Sequence, residues 1–237
     1  MIGQLRNVVL DAPDIAALSA FYQGLAGWTQ VDADHEWITL TTPDGWRIGL
    51  QDAPDHQPPR WPDPAHPQQA HLDLRVPDLD AAGARAEELG ARRLGGGETW
   101  HTFADPAGHP FDLCLNADDP PMTIFAITVD CADAKQLSDF YGPLLGMSSL
   151  YDGPEGSLIG DGSKQVMFQQ VETYTPPRWR DPANPQQIHL DVLVTDIDEA
   201  ERQTLALGAS RLDGEGENWH VFADPAGHPF CLVWTVG

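Results

Sequence analysis

The chain has 237 residues, 41% of them apolar, and carries 36 acidic against 13 basic residues for a formal charge of -23. That length and apolar share support two domains with real cores and exclude a disordered chain. The charge repels phosphate backbones and anionic bilayers, which excludes nucleic acid and membrane surfaces as partners and favours a cationic small molecule.

The opening Met1-Ile2-Gly3-Gln4-Leu5-Arg6 has no basic and apolar leader and runs directly into a strand pattern over Asn7 to Asp11. Asp14 is the N-cap of a helix expected to reach about Gln23 and stop at Gly24. Glu36 to Gln51 reads as short strands turned at Pro43-Asp44-Gly45. Gln57 to Gln69 is too rich in proline for helix or central strand and is a loop. A second pass follows: a strand from His71 to Val76, an Asp78 N-cap, a helix closing at Gly90, and strands joined by Asp105-Pro106-Ala107-Gly108. His109 and His228 cap that turn in the two halves and carry no functional claim.

The same order then returns. Arg60-Trp61 through His71-Leu72-Asp73 recurs as Arg178-Trp179 through His189-Leu190-Asp191, and Trp100-His101 through His109-Pro110-Phe111 recurs as Trp219-His220 through His228-Pro229-Phe230. The offset is 118 or 119 residues, too long for a solenoid repeat. The chain is therefore a tandem duplication of 1–117 and 122–237, linked through Asn116 to Pro121, with four βαβββ modules and a pair of related sites. Two fused copies favour an intramolecular pseudo-dimer and a monomeric chain, because the second partner is held at high effective concentration. Three cysteines without CxxC spacing, Cys114, Cys131 and Cys231, point to reduced thiols in a cytoplasmic protein.

Paired βαβββ modules, a helix carrying Phe21-Tyr22 with Leu25 and Gly27, a His-Leu-Asp-Leu strand and an Asp-Pro-Ala-Gly turn together resemble the vicinal oxygen chelate superfamily. That group includes glyoxalase I, the extradiol dioxygenases, fosfomycin-modifying enzymes and the bleomycin-resistance binding proteins. The likeness is closest to its glyoxalase-like domain branch. It implies an α+β fold of two tandem domains, each with a curved sheet enclosing a ligand cup, while function must be argued from the site.

Strand alternation sorts the side chains. Leu72, Leu74 and Val76 pack toward the helices, and His71, Asp73 and Arg75 face the cup. By the same parity Phe111, Leu113 and Leu115 are buried while Asp112 and Cys114 face the cup. Asn7, Val9 and Asp11 face it from the first strand, and Ala126, Thr128 and Asp130 from its counterpart. His189, Asp191, Cys231 and Val233 complete the second half.

The superfamily's metal positions fall, by resemblance, on Asn7, Gln51, His71 and Asp112 in the first half and on Ala126, Gln169, His189 and Cys231 in the second. The second set has lost ligands, so no metal is expected there. A divalent cation held by His71, Asp112 and Gln51 is the alternative in the first half. His71 and His189 are otherwise histidines paired with Asp73 and Asp191, ligand contacts, or metal-free acid–base groups. The matched pairs Trp100/Trp219 and Trp61/Trp179 offer stacking faces or loop anchors; His101 and His220 sit beside the first pair. Two functions stay open. One is a small-molecule binder that sequesters a cationic or aromatic compound in the manner of bleomycin-resistance proteins. The other is a lyase, isomerase or dioxygenase-like enzyme, metal-assisted in the first half or using His71 or His101 as acid and base.

Overall fold

The computed structural model describes residues 1–117, 122–182 and 184–235. Asp118 to Pro121 of the expected linker, and the last two residues of the second domain, lie outside them. The elements run β1 (Gln4–Ala12), α1 (Ile15–Ala26), β2 (Thr29–Ala33), β3 (Trp37–Thr41), β4 (Arg47–Asp52), then β5 (Ala70–Val76), α2 (Leu79–Glu88), β6 (Arg92–Gly96), β7 (Trp100–Ala104) and β8 (Pro110–Leu115). The second half repeats them as β9 (Thr123–Cys131), α3 (Ala134–Leu145), β10 (Ser148–Gly153), β11 (Gly156–Gly160) and β12 (Gln165–Gln170), followed by β13 (Ile188–Leu193), α4 (Ile197–Ala206), β14 (Ser210–Glu215), β15 (Trp219–Ala223) and β16 (Pro229–Val233). Four βαβββ modules are therefore present.

All four helices start on an aspartate, Asp14, Asp78, Asp133 and Asp196, whose carboxylate accepts a backbone N–H from the first turn. The first helix does not stop at Gly24. It continues to Ala26 and is closed by Gly27 in the left-handed conformation at φ 67°, where the Gly27 N–H reaches the Gln23 carbonyl. Gly24 lies under the side chains of Leu89 and Arg85, and an added Cβ would come 3.0 Å from Leu89 Cδ2.

The modules combine into two open eight-stranded sheets, ordered β14-β15-β16-β13-β1-β4-β3-β2 and β10-β11-β12-β9-β5-β8-β7-β6. Each sheet thus takes one module from each half. β1 pairs antiparallel with β13, Val9 opposite His189, and β5 pairs antiparallel with β9, His71 opposite Thr128. The helix side knits the halves differently. Within the first half Phe21 and Tyr22 of α1 pack on Phe111 of β8, and the Tyr22 hydroxyl donates to Asp105; within the second, Phe140, Tyr141, Phe230 and Asp224 repeat this. The duplicated unit is one helix-side core, whereas each sheet crosses between units.

At the junction Gln69 and Gln187 clasp each other: each backbone N–H donates to the other's side-chain oxygen, at 3.2 and 2.9 Å. Both are buried, which makes these bonds expensive to lose. They fix the start of β5 and β13, the strands that carry the two histidines.

Candidate functional site: two unequal cups

The crossing of the sheets regroups the residues that sequence places together. Asn7 and Gln51 lie on β1 and β4, in the sheet of β13 and β16, so they face His189 and Cys231. His71 and Asp112 lie on β5 and β8, in the sheet of β9 and β12, so they face Thr128 and Gln169. The expected first-half set of Asn7, Gln51, His71 and Asp112 therefore never meets. The first strand of each copy pairs with the leading strand of the other copy's second module, β1 with β13 and β9 with β5, so a ligand set read within one half is split between sheets.

In the cup of β5, β8, β9 and β12, Asp73 and Asp112 are neighbours in parallel register. His71 Nε2 stands 3.7 Å from Asp73 Oδ1 and 4.0 Å from Asp112 Oδ2, too far for hydrogen bonds. Thr128 donates a short hydrogen bond to the other Asp73 oxygen, and the Cys114 thiol lies 3.9 Å from Oδ1. Burial raises the Asp73 carboxyl; His71 and Thr128 pull it back and the Asp112 charge pushes it further up. Burial and then the charges of Asp73 and Asp112 push the Cys114 thiol up as well, so it stays protonated and weakly nucleophilic.

Behind His71, the Gln68 amide donates to both oxygens of Asp130, at 3.0 and 3.3 Å, and lies 3.2 Å from His71 Nδ1. An amide nitrogen is a donor only, so Nδ1 accepts and the ring proton sits on Nε2, toward the two carboxylates. A cavity of about 530 Å³ opens above this cluster, with Trp61, Trp100, Thr102, Gln169 and Leu115 among its walls. A side chamber of about 270 Å³ shares Trp61, Gln68 and Gln169 with it and reaches Asp130 and Tyr174. Leu115, expected in the core, is 45% exposed and lines the cup rim; it is the last residue of β8, where the helix layer has ended.

The other cup has the same frame and different contents. His189 Nε2 is 3.5 Å from Asp191 Oδ1, and Asn7 donates to Asp191 Oδ2 at 2.7 Å. Burial opposes a charge on His189, but its hydrogen bonds to Asp191 and Cys231 prevail and hold it well above the usual histidine range. Asp11 accepts from Gln186 at 2.8 Å, and its second oxygen is buried without a partner; burial raises its carboxyl. Above them the Trp37 ring lies on Gly49, where an added Cβ would come within 2.4 Å of Cζ2. The positions equivalent by strand register are Gly156 and Met167. One cup is filled by an indole that the other lacks.

His101 and His220 do not enter either cup. β7 and β15 send Trp100 and Thr102, or Trp219 and Val221, to the cup face, so the residues between them point the other way by the two-residue strand period. His101 lies against α2 near Gly83, and His220 Nδ1 pairs with Glu201 of α4 at 3.2 Å. The parity of Trp100 already carried that signal. Trp179 is a loop anchor, donating to the Asp213 carbonyl at 2.5 Å, whereas Trp61 packs on Gly95 and forms a wall of the open cup. Sequence reasoning missed Trp37, Gln68 and Trp61's place in the cup. His109 does cap its turn: Asp105 accepts from the His109 N–H and ring.

Residues 7–114 and 126–233 each match the family model of the glyoxalase-like domain. The chain belongs to that family, as a tandem pair of glyoxalase-like domains within the vicinal oxygen chelate superfamily. Among solved structures it is similar to glyoxalase I from Zea mays, with 18% identity and a TM-score of 0.65 over 97% of this chain and 92% of that one. It is similar also to a putative dioxygenase from Bacillus subtilis, with 13% identity and a TM-score of 0.65 over 98% and 85%. At such identities the likeness shows the fold alone. No curated protein matches in sequence. Among the described residues no helix is long and apolar enough to cross a membrane.

Whether the cups suit the metal of this superfamily is a question of donor chemistry. Among the described residues two sets bring three ligand atoms within 4.8 Å of one another: His71, Asp73 and Asp112, and His189, Asp191 and Cys231. The first fits a divalent cation, with one imidazole and two carboxylates around a gap none of them bridges. It differs from the expected set in taking Asp73 and losing Gln51. In the second, Asn7 holds one oxygen of Asp191, a thiol stands where the first set has its second carboxylate, and His189 Nδ1 is buried without a hydrogen-bond partner.

Proposed function

We propose that this protein binds a small organic molecule in the open cup above His71, Asp73 and Asp112, and that the guest carries a cationic or multiply donating head on a flat body. The carrying observation is the pair of adjacent carboxylates, one of them buried, facing His71 across gaps of 3.7 and 4.0 Å beneath the exposed ring of Trp100. Two such charges repel each other and lose hydration, and a cation or donor between them relieves both. Trp100 and Trp61 then offer faces for stacking and for attraction to the positive charge. The chain acts as a monomer, because each sheet already uses modules of both copies, with domains at 1–117 and 122–237; its three free cysteines fit a cytoplasmic setting. Sequestration in the manner of the bleomycin-resistance proteins is the role this arrangement supports.

Tryptophan emission titrated with phenethylammonium tests the reading. Quenching should saturate, weaken as salt rises, and weaken further in Asp112→Asn. Saturable binding by small carboxylates at this cup, indifferent to Asp112→Asn, would overturn it.

One observation favours a second reading, a metal-assisted enzyme. The atoms of His71, Asp73 and Asp112 could hold a divalent cation, which would supply Lewis acidity to a bound carbonyl or phosphoryl oxygen. Ligation through His71 Nε2 requires its proton to move to Nδ1 and the Gln68 amide to turn its oxygen there. Elemental analysis decides: one metal per chain, lost in His71→Ala and kept in His189→Ala, selects the enzyme.

A further inference from the structure

The chain has only 13 basic residues, and Arg85, Lys135, Arg178, Arg202 and Arg211 sit against acids while Arg75 lies over a ring. Three lie near one another instead, about residues 5–7 at the start of β1, close enough to feel each other's charge. Lys164, in the turn before β12, donates from Nζ to the Leu5 carbonyl at 3.2 Å. Arg47 at the start of β4 donates from Nε to the Asn7 side chain at 3.3 Å. Arg6 lies between those two anchor points, exposed, and forms no hydrogen bond or ion pair among the described residues. Neither Arg47 nor Lys164 has a carboxylate within ion-pair distance among those residues, although acids outnumber bases 36 to 13. Asp32 and Asp161 are near enough to be felt by Arg47 and Lys164 respectively, without closing on them.

The duplication provides an internal comparison. The positions equivalent to Arg6, Arg47 and Lys164 are Phe125, Gln165 and Trp46. Trp46 is almost fully buried. The fold therefore builds this corner without any of the three charges, and their gathering in one copy needs another reason. We propose that Arg6, Arg47 and Lys164 form a binding site for a phosphate-type oxyanion at the junction of the two domains. The first domain supplies two forked guanidiniums suited to paired oxygens, and the second supplies a compact ammonium. Burial and the neighbouring cations lower both Arg47 and Lys164, which is the electrostatic strain that a bound anion removes.

The site is separate from the open cup, so the two readings can fail independently. Titration calorimetry with inorganic phosphate at low ionic strength, with chloride as the control anion, is the test. Saturable binding of one phosphate per chain is expected. Arg6→Gln should weaken it about tenfold, as the loss of a charge-assisted hydrogen bond does, and Lys164→Gln by a similar factor. Asp112→Asn should leave it unchanged. Arg6 is exposed and unbonded, so its variant keeps the fold even if Arg47→Gln, which frees Asn7, does not; unchanged melting temperature of Arg6→Gln confirms this. Absence of saturable phosphate binding, or binding that Arg6→Gln and Lys164→Gln leave intact, overturns the proposal.

Discussion

The two cups are built by the same modules in the same register, yet one is a container and the other is a plug. Both have a histidine and an aspartate on the central strand, His71 with Asp73 and His189 with Asp191, and both histidines are buried. The divergence lies around them. In the open cup the facing residue on β8 is Asp112 and the position of Gly49 is held by Met167; in the filled cup Cys231 replaces the acid and Trp37 lies across Gly49. The two cups thus differ by two local changes, the loss of a charge and the gain of a ring, while the scaffold is untouched. What remains buried there is His189 beside Asp191, with the Asn7 amide donating to the carboxylate.

The largest effect should come from moving the plug. Trp37→Ala removes a ring packed on Gly49 and should cost about 2 kcal/mol, below the range for a fully buried tryptophan because Trp37 is only half-buried. Chemical denaturation measures the loss. The same variant should admit a small aromatic probe to the filled cup, seen as a second binding event; if only one event is ever observed, Trp37 is not what separates the cups.

Next comes the acid. Asp112→Asn should weaken phenethylammonium about tenfold, and Cys231→Ser should leave its affinity unaltered. Equal losses in both variants would erase the distinction between the cups.

A smaller effect is expected at the paired tryptophans. Trp100→Ala should reduce affinity by about fivefold through lost stacking, whereas Trp219→Ala should reduce it little. Quenching that survives in Trp100→Ala and disappears in Trp219→Ala would assign the guest to the wrong cup.

The least effect concerns pH. Burial raises Asp11 above the usual carboxylate range, so the folded state holds that proton more tightly than the unfolded chain. Its stabilising contribution is complete below about pH 3.8 and is lost as pH rises through the folded value. Asp11→Asn, facing His189, His109, Asp55 and Gln186, should therefore raise the melting temperature by about 2 °C at pH 7 and by less near pH 4. A larger gain at the acidic pH would reverse the sign and show that Asp11 is held ionised.

Much of this molecule is determined by its sequence. The duplication, the helix caps at Asp14 and Asp78, the proline-rich loop and the glycine turns are local or periodic features, and each is legible because its cause acts within a few residues. The cup faces of β5 and β8 follow from strand parity, which needs no knowledge of the neighbours. The same rule removes His101 from the cup once Trp100 is placed in it.

Which residues share a cup was decided only by the tertiary structure. Asn7 meets Asp191 across 184 residues and Thr128 meets Asp73 across 55, because sheet pairing crosses between the copies. Nothing in a linear pattern distinguishes that crossing from pairing within each half, since both satisfy the same hydrophobic alternation. The filling of one cup by Trp37, and the convergence of Arg6, Arg47 and Lys164, are likewise products of three-dimensional register. Local order is written residue by residue, but a binding site is a set of distances between strands, and only closure of the sheets fixes those distances.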